Sequence, residues 1–162
     1  MSDALRRGEG SFLDRRRRIA GLSLGGMASL GVVAAYQFGL IRRPPEPRVR
    51  PFDAEAVDAS GEAYRYLLTP DAALGLASNA ATLVLVGLGT ATRSETRPWI
   101  PIALLAKTLG DAAYGVYLTL EQGTKHRRFC SWCLLAVAAG LAAAPQAAPE
   151  ARQAWRTLRR GR

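Results

Sequence analysis

Four long stretches dominated by Ala, Leu, Gly and Val constrain this chain more than any other feature. They run roughly 19–41, 72–91, 98–120 and 129–148, with charges gathered at the two ends and in the connectors between them. About 20 apolar residues suffice to cross the ~30 Å hydrocarbon core of a bilayer. The pattern predicts an all-α fold, an integral-membrane four-helix bundle at 19–148 with an outer loop at 42–70. Basic tails at 1–18 and 149–162 flank it. Composition alone would not reach this. With 49% hydrophobic and 22% charged residues and a mean hydropathy of 0.00, the chain resembles an ordinary soluble protein on average.

The first stretch follows Arg15-Arg16-Arg17-Arg18. A basic lead and an apolar run also describe a signal peptide. The run exceeds the ~7–15 residues of a signal core and no small-x-small site closes it, so a retained anchor is expected. Gly21, Gly25 and Gly26, with Ala28 and Ser29, offer small-residue packing positions. Pro70 suits the start of the second helix. Trp99, Tyr114 and Tyr117 are expected interfacial anchors of the third, and Pro145 and Pro149 are expected to end the fourth.

Orientation follows from the Lys and Arg bias. With the N-terminus inside, thirteen fall on the cytoplasmic side, Arg93 and Arg97 among them, and eight on the outer side; Lys107 lies within a span. Both termini are therefore expected in the cytoplasm, in a multi-pass protein of a bacterial inner membrane. The outer loop opens on the stiff Pro44-Pro45-Glu46-Pro47. Its Phe52–Leu68 segment is expected to form a short helix over the outer face. The net charge of +9 resides in Arg runs with no interleaved aromatics, which argues against a nucleic-acid partner.

The only two cysteines form Cys130-Ser131-Trp132-Cys133 at the head of the fourth stretch. Random placement would give that spacing about one time in eighty. The i, i+3 spacing puts both sulfurs on one face of a first helical turn. A helix N-terminus and the preceding Lys125-His126-Arg127-Arg128 favour the thiolate, the nucleophile of disulfide exchange. The alternative is a pair of inert, buried small side chains. A metal is not expected, since two thiols and His126 leave a four-ligand shell incomplete. His126 either tunes Cys130 or is a solvated interfacial residue. Lys107 and Asp111, four apart in the third stretch, either neutralise each other or serve the site; Asp111, Tyr114 and Gly115 share a face that would line a cavity.

These residues resemble the vitamin K epoxide reductase family, membrane thiol oxidoreductases of four helices with Cys-x-x-Cys at the outer start of the fourth. Phe52-Asp53-Ala54-Glu55-Ala56-Val57-Asp58-Ala59-Ser60 follows the frame of the family's bacterial loop. Pro70 and Gly75 keep its Pro-to-Gly spacing, Tyr117-Leu118 with Gln122 resembles the end of the third helix, and Phe129 to Leu134 the start of the fourth. Ala54 stands where the family's second loop cysteine would be, and no other loop cysteine exists.

The resemblance implies a catalytic dithiol, with Cys130 as the exchanging thiol and Cys133 next to a quinone of ubiquinone or menaquinone type. Ser60 is implied as a polar contact near the quinone, with Asp111 and Tyr114 as further lining. Without loop cysteines, electrons would come directly from a thioredoxin-like thiol partner on the outer side. Two rivals to this enzyme are a non-enzymatic bundle with a scaffold or assembly role, and a subunit that binds anionic membrane lipid through its Arg-rich ends.

Overall fold

The computed structural model describes residues 2–47, 49–60 and 69–160. Arg48, Arg65 and Arg162 of the charge count, and the 61–68 part of the expected loop helix, lie outside the described residues. The described chain is helical: α1 (Ser2–Arg7), α2 (Ser11–Gln37), α3 (Ala54–Asp58), α4 (Asp71–Gly87), α5 (Arg93–Thr96), α6 (Trp99–Glu121) and α7 (Ser131–Arg160). A π-helical turn, Gln122–His126, follows α6, and Arg127 at φ 50° reverses the chain toward α7.

The four long helices close a ring in which α2 packs on α4 and α7, and α6 on the same two. Two of them are long and apolar enough to cross a membrane, at Phe12–Gln37 and Ser131–Arg160. Four such spans were expected. The second, α4, has 17 residues and a length of about 26 Å, and α6 carries Lys107 and Asp111. Helices also extend into both expected tails. The first long helix, α2, begins at Ser11, and α7 runs through Pro145 and Pro149 to Arg160. Each proline removes one backbone bond, but packing of Ala143, Ala144, Ala147, Glu150, Ala151 and Ala154 holds the helix across them.

Within α2, Gly26 and Ser29 face the bundle, Gly26 beside Asn79 and Ala139, whereas Gly21, Gly25 and Ala28 face away. One core cluster joins Ile19, Val86, Leu104, Ala143 and Ala147, with Leu5 of α1 packed on it. Both termini thus lie at the same end of the bundle. Here the last carbonyls of α4 lack intrahelical donors. Arg16 donates to Val86 O (2.7 and 3.0 Å), and Arg93 donates to Leu85 O (2.7 Å) and Leu88 O (2.8 Å). Arg93 also forms a buried bidentate pair with Glu150, at 2.8 and 2.7 Å. Arg16 and Arg93 are therefore buried helix caps and not free surface charges.

A second cluster, of Val33, Ala34, Ala54, Val57, Ala72 and Cys130, occupies the opposite end. Gln37 at the end of α2 ties three elements together there. It donates to Asp71 (2.7 Å) and to the carbonyl of Asp58 (3.3 Å), and accepts from the amide of Ala72 (3.3 Å).

Candidate functional site

The dithiol lies at this second end, where α7 begins. Cys130 immediately precedes Ser131, the first residue of the helix. Its sulfur accepts the amide hydrogen of Cys133 at 3.2 Å, as an N-capping side chain does. Its own amide donates to Gln122 Oε1 at 3.1 Å. Both cysteines are free thiols.

The segment before α3 is strapped over this helix start. Phe129 N donates to Pro51 O (3.1 Å), Asp53 N to Phe129 O (3.0 Å) and Trp132 Nε1 to Pro45 O (2.7 Å). Glu46 joins two helix starts, accepting from the amide of Ser131 at 2.7 Å and from the amide of Ala54. Under this strap Cys130 is 0% exposed. Cys133, by contrast, is partly exposed. The strap accounts for the burial of Cys130, because it covers the helix end that would otherwise meet water.

Cys133 opens instead onto a cavity of about 310 Å³ enclosed by α2, α4, α6 and α7. Ligand pockets begin near this size. Leu30, Val33, Leu74, Leu118 and Val137 give the wall its apolar character. Ser60, Asp111, Tyr114, Gly115 and His126, all singled out in the sequence, line the same space. Ser60 turns its hydroxyl to Val57 O at 2.7 Å. Asp111 accepts from Ser78 Oγ (2.9 Å) and pairs with Lys107. Lys107 reaches Ser78 (2.6 Å) and Thr82 (3.3 Å) on α4, so this ion pair bridges α6 to α4. Tyr114 stacks on Tyr117, with ring centroids 6.0 Å apart.

The residue that sequence reasoning missed is Asp58. Ala54, Val57 and Asp58 form the buried face of α3 at i, i+3 and i+4, and Asp58 is 1% exposed. That register was the available signal, an acid on the apolar stripe of a short loop helix. The Cys133 thiol donates to Asp58 Oδ1 at 3.4 Å, and Oδ2 is buried with no hydrogen-bond partner among the described residues. The two sulfurs and a carboxylate oxygen lie within 4.8 Å of one another. Burial pushes the Asp58 carboxyl up to about 6, helped by the charges of Asp71 and Glu46. Hydrogen bonds from Cys130 and Cys133 pull it the other way. As metal donors these are three residues, where a closed structural zinc shell takes four.

A model of the vitamin K epoxide reductase family matches residues 17–147. Comparison with curated proteins and with solved structures gave no match. The family match takes in the whole cavity, α3, the strap and the dithiol, and on it the chain belongs to the vitamin K epoxide reductase family, a group of membrane-associated oxidoreductases.

Proposed function

We propose that the protein is an integral-membrane thiol–disulfide oxidoreductase that passes electrons from an outer thiol partner through Cys130 and Cys133 to quinone. The observation that carries this reading is the position of Cys133. It lies on the wall of a largely apolar cavity and three residues from a second thiol at a helix start. In the proposed reaction the Cys130–Cys133 disulfide forms as both S–H bonds break, and two electrons and two protons convert quinone to hydroquinone. Cys133 faces the quinone, and Ser60, Asp111 and Tyr114 contribute polar groups to its pocket. All four long helices span the bilayer in this proposal, α4 at the short limit of ~17 residues.

Return of electrons requires a thiolate of the partner, of thioredoxin-like type, to attack Cys130 and release Cys133; the partner's second thiol then attacks the mixed disulfide, frees Cys130 and leaves the partner as a disulfide. The burial of Cys130 means that the strap must lift for this step. Absence of the family's loop cysteines, with Ala54 in the frame, supports the second reading, a bundle retained for scaffolding.

The test is single-turnover oxidation of the pre-reduced protein in detergent by ubiquinone-1 and by a short-chain menaquinone, followed by thiol counting. Loss of both thiols is expected with wild type, and no quinone-dependent oxidation with Cys133→Ser. If wild type binds neither quinone saturably and keeps both thiols, the scaffold reading replaces the enzyme.

A further inference from the structure

We infer that Asp58 is the proton acceptor of the dithiol, taking the Cys133 S–H proton as the pair is oxidised. The inference rests on the redox reading above and names a catalytic residue for it.

The geometry is that of a base already bonded to its acid, since the Cys133 thiol donates to Asp58 Oδ1 at 3.4 Å. The second oxygen has no partner among the described residues, although the carboxylate is 1% exposed. A buried carboxylate is costly unless a cation or several donors compensate it. Among the described residues no cation faces Asp58, and its only side-chain donors are thiols. The strap presents Glu46, α4 presents Asp71, α7 presents the two thiols, and α2 gives the amide of Gln37 only to the Asp58 backbone carbonyl. A structural role would be met as well by an uncharged amide, which bonds a thiol without this penalty. The acidic surroundings and the burial instead hold the carboxyl at about 6, near the range in which a general base is most effective at neutral pH.

In the proposed step the Asp58 carboxylate takes the proton of Cys133, leaving a thiolate and a neutral carboxylic acid. The charge moves between two adjacent groups, with no hydroxide brought into the bundle. The sulfurs then join in an S–S bond and give up two electrons to quinone. The proton held by Asp58 goes to one oxygen of the hydroquinone and the Cys130 proton to the other. When a partner thiolate opens the disulfide, Cys133 leaves as thiolate; Asp58 takes up from water the proton that the partner thiol released and passes it to the Cys133 sulfur.

Two readouts on purified full-length protein in detergent test this. The first is iodoacetamide alkylation of Cys133 in a Cys130→Ser background between pH 4.5 and 9.5. The rate should rise through about pH 6 to a plateau before the thiol's own ionisation, and Asp58→Asn should remove that first rise. The second is single-turnover oxidation by ubiquinone-1 at pH 7, which Asp58→Asn should slow by about 100-fold. Wild type that resists quinone but keeps the Asp58-dependent rise overturns the quinone reading and leaves the base in place. Asp58→Asn oxidised at the wild-type rate, with the same alkylation profile, overturns the base and leaves the enzyme. Should Asp58→Asn fail to fold, the Cys130→Ser profile decides. A single inflection at or above that of a free thiol, about 8.5, with none near 6, overturns the inference.

Discussion

At the scale of single residues, the site joins groups that the sequence displayed with one that it concealed. Cys130 and Cys133 announce themselves by spacing, whereas Asp58 is one of several acids in its segment and becomes distinctive only once α3 turns it inward with Val57. Its burial has a thermodynamic consequence independent of any catalytic role. The folded carboxyl titrates at about 6 and an unfolded one near 3.9, so the native state binds the proton more tightly. The stabilisation it contributes is complete below about pH 3.9 and is lost as pH rises through about 6. Melting wild type and Asp58→Asn side by side in detergent from pH 4 to 8 should show this. Wild type should lose ground to the variant with rising pH, by on the order of 2–3 kcal/mol in all. A pH-independent difference would mean that the carboxylate is solvated in the native protein.

At the scale of elements, the apolar stretches located the four long helices and met both ends of α6 within a residue, but misjudged both ends of α2 and the C-terminal ends of α4 and α7. The reason is that the groups deciding those ends are remote in sequence. Arg16 caps α4 from 70 residues away, and Glu150 pairs with Arg93 from 57 residues away. The strap is the same lesson at the dithiol. Glu46 lies 85 residues from Ser131, yet its carboxylate satisfies a free amide at the start of α7 while also holding the start of α3. The Pro44-Pro45-Glu46-Pro47 segment read as a stiff spacer, and its function as a clasp over Cys130 depended on contacts that no local pattern records. Loss of an N-capping side chain costs about 0.5–2 kcal/mol, and strap opening should become more frequent accordingly. Glu46→Ala in a Cys133→Ser background should therefore speed alkylation of Cys130 by about tenfold with little change in overall melting. An unchanged rate would show that the strap does not control access to Cys130.

At the scale of the whole molecule, the bundle is polarised. One end holds both termini and the buried Arg93–Glu150 pair; the other holds α3, the strap and the dithiol. The even number of long helices that the sequence displayed requires this, because each short connector reverses the chain. Which end faces which compartment rests on the Lys and Arg bias. Two of the thirteen cytoplasmic charges, Arg16 and Arg93, are committed to capping α4, but both cap it at the expected inner end, so they do not argue for the reverse orientation. Single cysteines at Asp3, Glu55 and Arg156, placed in a chain with Cys130→Ser and Cys133→Ser and expressed in a bacterium, test it directly. These three side chains are exposed in the structure. A membrane-impermeant maleimide applied to intact cells should label the cysteine at position 55 and spare those at 3 and 156 until the cells are lysed. The reverse pattern would place the dithiol in the reducing cytoplasm, where thiols are kept reduced, and would remove the outer thiol partner from the proposed electron path. Labelling at all three positions in intact cells would break the four-span bundle itself.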